Sequence, residues 1–71
     1  MPADFARRLI EGESPLRVYR QLRGPTQSAL AQMSRVNRVQ IAEVEAGRNK
    51  GSVDTVKRLA GALGVAVDDL V

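Results

Sequence analysis

The side chains best equipped for chemistry in this chain are its cations and amides. Between Leu16 and Leu59 stand Arg17, Arg20, Arg23, Arg35, Arg38, Arg48, Lys50, Lys57 and Arg58, against only Glu43, Glu45 and Asp54, a net +6 (nine bases against three acids) within a chain of net +3. The remaining acids collect at the two ends. Such a basic segment favours a polyanionic partner, because every phosphate that a cation neutralises releases condensed counterions. A guanidinium such as that of Arg38 can bond both acceptors of a guanine edge or grip a phosphate. Histidine and cysteine are absent, which removes disulfides, thiolate nucleophiles, imidazole bases and zinc fingers. The adjacent Asp68 and Asp69 have nothing to activate them and suit the amino end of a short helix, where the dipole favours negative charge. No enzyme activity, metal or cofactor is expected.

The elements that position these groups are read from start and stop signals. At 71 residues the chain has room for one domain with a modest core, which self-association would help. No apolar run reaches about 18 residues and none resembles a secretory leader, so a soluble cytoplasmic protein is expected. Nothing alternates with the period of two that a strand needs, and the fold class is all-α, a compact bundle of about five short helices.

A first helix spans Pro2 to Ile10, with Phe5, Ala6, Leu9 and Ile10 apolar and Gly12 as its stop. Ser14 and Pro15 start a second, to Arg23, with Leu16, Tyr19 and Leu22 or Arg23 as its stripe, ended by Gly24 and Pro25. Thr26 caps a third, Gln27 to Ser34, with Leu30, Ala31 and Ser34 inward. Asn37 caps a fourth, Arg38 to Ala46, with Ile41 and Val44 inward and Gly47 as its close. Gln40 can reach back in a capping box, or can bond adenine. Arg48, Asn49, Lys50 and Gly51 read as an exposed loop. Ser52 caps a fifth helix carrying Val53, Val56, Leu59, Ala60 and Leu63, which Gly64 ends, and Val65, Val67 and Leu70 fold a last turn onto the core.

The joint of about three residues between the third and fourth helices forces a steep crossing and holds the fourth helix away from the body, as in a helix-turn-helix. Thr26-Gln27, Leu30-Ala31, Val36, Ile41, Glu45 and Gly47, Ser52 and Ala62-Leu63-Gly64-Val65 together resemble the Cro and phage-repressor type helix-turn-helix family, over roughly residues 15 to 71. The resemblance implies a lambda-repressor-like DNA-binding domain over residues 14–71, with residues 1–13 as a helical extension. It also implies a regulator that reads double-stranded operator DNA.

By the same resemblance Thr26 and Gln27 open the first motif helix, where Gln27 would grip phosphate and brace the reading helix. Asn37, Arg38, Val39, Gln40, Ala42 and Glu43 would face base edges and nearby phosphates, and Arg48, Asn49 and Lys50 would form a second phosphate clamp. Val39 can offer only apolar contact, to a thymine methyl or to its own fold. Glu43 is awkward beside a polyanion unless it accepts from cytosine. Arg20 and Glu45 match positions that form a structural salt bridge. Two departures stand out: Arg35 occupies the turn position where glycine is usual, and Pro25 one where leucine is usual.

The leading segment, Pro2-Ala3 through Gly12-Glu13-Ser14-Pro15 with Leu16 to Arg20 and Arg23-Gly24, resembles that of small antitoxins of bacterial toxin-antitoxin pairs. That resemblance implies a cognate toxin as a partner, with Phe5, Leu9 and Ile10 as candidates for a partner or dimer surface; they equally suit a helix packed on its own core. A near-palindromic operator bound by a homodimer follows from the family's geometry. The competing reading is a protein-interaction module that keeps this fold with DNA binding weak or lost. An RNA binder fits less well, since Phe5 and Tyr19 are the only aromatic residues.

Overall fold

Side-chain caps start four of the six helices in the computed structural model, which describes residues 1–71: α1 (Ala3–Ile10), α2 (Pro15–Arg23), α3 (Gln27–Ser34), α4 (Arg38–Glu45), α5 (Val53–Leu63) and α6 (Val67–Leu70). Ser14 Oγ accepts from the Arg17 amide at 3.4 Å, Thr26 Oγ1 from Ala29 at 3.0 Å, Asn37 Oδ1 from Val39 at 2.7 Å and Ser52 Oγ from Thr55 at 3.1 Å. Each satisfies one of the amides a helix start leaves without a partner. All four caps are those the sequence calls for. Asp69 likewise accepts from the Ala66 amide at 3.0 Å and opens α6.

Glycine closes three ends by the same device, at Gly12, Gly47 and Gly64. Gly47, at φ 78°, lets its own amide reach Val44 O at 3.1 Å and the Arg48 amide reach Glu43 O at 3.0 Å. Gly12, at φ 91°, does so for α1, where its amide bonds Leu9 O and the Glu13 amide bonds Arg8 O, each at 3.1 Å. This paired closure needs a left-handed residue, which glycine supplies without a steric cost.

The core is one cluster of Leu16, Leu30, Val36, Ile41, Leu59 and Leu63, flanked by Tyr19, Ala31, Val44, Ala62, Val65 and Leu70. Every helix of residues 15–70 contributes, and α3 packs against both α4 and α5. Ser34, the buried polar residue of α3, donates to Leu30 O at 2.7 Å and accepts from the Val36 amide at 3.3 Å, so its hydroxyl is satisfied within the core.

Two expectations need correction, at Val53 and Gln40, and a choice left open at Ile10 is narrowed. Val53 does not join the α5 stripe: it is 70% exposed, because the first residue of the helix projects beyond the core, and Thr55 is buried in its stead. Gln40 forms no capping box; its amide nitrogen donates instead to Thr55 Oγ1 of α5 at 3.3 Å. Ile10 turns to solvent, 86% exposed, and leaves Phe5, Ala6 and Leu9 as the half-buried side of α1. On α2, Leu22 rather than Arg23 is the inward residue of the last turn.

The helix α1 packs against α2. Arg8 lies over the Phe5 ring at 5.4 Å, grips Glu13 with two bonds of 2.8 and 2.9 Å, and donates to Gln21 of α2 at 2.6 Å. Because the Gly12 closure folds Glu13 back beside Arg8, the latch is built by local geometry. Hydrogen bonds from Arg8, aided by the charges of Arg8 and Arg17 and opposed by burial, hold the Glu13 carboxyl below the usual carboxylate range. The same bonds raise Arg8. Val18, one turn before Gln21 on the same face of α2, is fully buried although it lies outside the main cluster. No helix is long and apolar enough to cross a membrane.

Candidate functional site

The joint between α3 and α4 is Arg35, Val36 and Asn37. Arg35 takes the left-handed conformation, φ 59° and ψ 30°, and is the only residue besides glycine with a positive φ. The turn therefore keeps its shape with arginine in the place glycine would suit, at a cost of about 1 to 2 kcal/mol. Val36 drops into the core, and Asn37 caps α4 immediately afterwards.

Only Ile41 of α4 is buried, with Val44 packed beside it. At about 100° per residue the opposite side carries Val39, Ala42, Glu43 and Ala46, with Arg38 at its edge. Arg38 and Val39 are exposed, and Ala42 and Glu43 half-buried. Neither Arg38 nor Glu43 takes part in an ion pair. The helix is about 12 Å long at 1.5 Å per residue, so it separates Arg38 at one end from the Arg48–Lys50 loop at the other.

The second end is braced by a buried ion pair. Arg20 Nε and Nη2 donate to Glu45 at 2.6 and 3.0 Å, with 12% and 5% of the two side chains left to solvent. Gln27 adds a bond to Glu45 at 3.3 Å, and Arg20 also donates to Pro25 O at 3.1 Å. The pair expected from the sequence thus ties α2, the start of α3 and the end of α4 into one corner. No buried side-chain polar atom is left without a partner.

Three exposed residues near these ends share a chemical feature. Thr26 Oγ1, Asn37 Oδ1 and Asn49 Oδ1 each accept a backbone amide, the last from Gly51 at 2.8 Å. Their oxygens are engaged with the backbone, and the Thr26 hydroxyl proton and the two asparagine amide nitrogens have no partner within the chain. Donors held in this way suit an anion such as a phosphate. Exposed Arg48 and Lys50 beside Asn49 add charge to one of them.

A notch of about 250 Å³ joins Gln27 and Ala42 with Arg17, Arg20, Glu45 and Ala46. Arg17 enters the site only here. The sequence singles it out merely as one of many cations, yet it stands three residues before Arg20 on α2, and that spacing puts both on one side of the helix. Asn49 and Lys50 line a larger groove of about 480 Å³ with Ser14, Val44 and Leu70. The structure gathers Gln27, Ala42 and the 48–50 loop at the Glu45 end, and Asn37, Arg38 and Val39 at the other. Gln40 stands apart, turned toward α5. No cluster of carboxylates suited to a metal ion is present.

Among protein-family models, one described as helix-turn-helix matches residues 16–70. Neither curated proteins nor solved structures give a match.

Proposed function

The chain belongs to the Cro and phage-repressor type of helix-turn-helix family, whose members are DNA-binding regulators, and on that premise we propose that it is a sequence-specific repressor reading operator DNA with α4. The observation that carries this reading is the set of exposed donors without a partner in the chain at both ends of a short helix that buries only Ile41.

In the proposed complex the first residues of α4 enter the major groove. Arg38 bonds a guanine edge, Val39 meets a thymine methyl, and Ala42 allows close approach. Glu43 accepts from a cytosine amino group. Asn37 and Gln40 frame the start of the helix, while Thr26 and Gln27 on one flank and Arg48, Asn49 and Lys50 on the other hold phosphates and fix the register. Arg17 joins the Gln27 flank through the shared notch.

Two protomers bind a near-palindromic site as a homodimer, in the cytoplasm, on the nucleoid. The DNA-binding domain is residues 14–71 and residues 1–13 are an extension. Ile10, exposed on that extension, supports the further reading that the repressor is an autoregulating antitoxin whose α1 meets a cognate toxin. A purely protein-binding role has one observation in its favour, the unpaired Glu43 beside the 54% exposed Val39 on the outer side of α4.

The test is selection from random duplexes at near-physiological salt, with Arg38→Ala and Gln27→Ala alongside. Enrichment of a near-palindrome is expected, weaker in both variants, with preference relaxed at one base pair in Arg38→Ala and reduced uniformly in Gln27→Ala. Absence of any enriched sequence would transfer the outer side of α4 to a protein partner.

A further inference from the structure

A helix that buries one side chain is poorly held against rotation about its own axis. In α4 the apolar ridge is Ile41 and Val44. At about 100° per residue, Gln40 and Glu45 lie about 70° to either side of the direction between them. Both flanks carry a polar strap. Glu45 is tied to Arg20 and Gln27 on the side of α2 and α3. Gln40 Nε2 is tied to Thr55 Oγ1 on the side of α5, at 3.3 Å.

The Thr55 end of the second strap is fixed. Thr55 is 9% exposed, its amide is held by the Ser52 cap at 3.1 Å, and its hydroxyl oxygen lies 3.0 Å from Ser52 Oγ. Ser52 Oγ accepts the Thr55 amide as the cap and donates in turn to the Thr55 hydroxyl oxygen. Its remaining partner is Gln40.

Resting on the DNA-reading role of α4 given above, we propose that Gln40 and Thr55 form a positioning pair that sets the roll of the reading helix. Gln40 braces α4 against α5 and reads no base. Its amide nitrogen spends one of its two protons on Thr55, and the pair so formed holds the side chain against α5. The aim of Arg38 at the groove therefore depends on a buried hydroxyl on another helix, one that does not itself touch DNA.

The experiment measures the preference for the selected operator over bulk duplex in wild type, Thr55→Val, Thr55→Ser, Gln40→Met and the Thr55→Val/Gln40→Met double variant, with thermal unfolding of each as a folding control. Loss of one hydrogen bond corresponds to a roughly threefold to tenfold fall in preference. That fall is expected in Thr55→Val and in Gln40→Met, with full recovery in Thr55→Ser and no further fall in the double variant. An unchanged Thr55→Val, or a double variant whose losses multiply, overturns the pair and leaves the DNA-reading role standing. A wild type with no operator preference overturns that role and the pair together.

Discussion

Arg38 has no ion-pair partner, whereas Arg8, Arg20 and Arg58 are each committed to a carboxylate. Its guanidinium is therefore available to a ligand without first breaking an internal bond. Arg38→Ala should cost about 1 to 3 kcal/mol of operator binding and relax preference at a single base pair. A uniform loss across all sequences, seen in the same selection, would assign Arg38 to a phosphate instead. Arg35 calls for the opposite experiment. Its left-handed backbone costs about 1 to 2 kcal/mol with a side chain present, while glycine loses about 0.5 to 1 kcal/mol more chain entropy on folding. The first effect is the larger, so Arg35→Gly should raise stability by about 0.5 to 1 kcal/mol in denaturant unfolding. Glu45 is a sensitive position for a different reason. Its partner Arg20 is nearly buried, and removing one member of such a pair strands the other charge. Glu45→Ala is expected to destabilise by about 3 kcal/mol in the same measurement.

At the level of elements, α1 is held to α2 in part by the Arg8 latch, and the latch should respond to pH. Glu13 is depressed below its ordinary value in the folded state. Its contribution is thus present above the unfolded carboxylate range, about 4.3, and is lost as pH falls through the folded value. Wild type should exceed Glu13→Gln in thermal midpoint at neutral pH, and the gap should close in strong acid. A gap that persists there would assign the effect to packing. The latch also shows what the sequence discloses and what it withholds. Helix boundaries were legible because Ser14, Thr26, Asn37 and Ser52 act on amides two or three residues away, and the stops at Gly12, Gly47 and Gly64 are equally local. Arg20 with Glu45, twenty-five residues apart, was legible only through the family resemblance. Val18 and Gln40 were not. A single stripe on α2 predicts one buried face, but Val18 is buried outside the main cluster, and Gln40 found a partner on α5 that no spacing within α4 reveals. Arg17 was hidden for a similar reason, since nothing local sets it apart from the other cations.

The whole molecule is small enough for its size to constrain how it works. Only 11 of 71 residues are buried, and α4 spans about 12 Å. Along a duplex rising 3.4 Å per base pair, that length faces about four pairs. A four-pair word recurs roughly every 250 pairs, far too often to single out one operator among about a million competing sites. One protomer of this chain cannot therefore be a selective repressor by base contacts from α4 alone. Two protomers whose reading helices sit about 34 Å apart, one turn of the duplex, double the word that is read. The proposed homodimer is in this sense a requirement of specificity and not only of stability. The complex on a selected operator should contain two chains per duplex by mass. Inserting about five base pairs between the half-sites turns one of them to the opposite face, and the preference over bulk DNA should then fall to that of a single half-site; restoring a full turn with about ten should recover it only if the dimer can stretch. Undiminished preference with the five-pair insertion would mean that each protomer reads alone, and the selectivity would then have to come from contacts beyond α4.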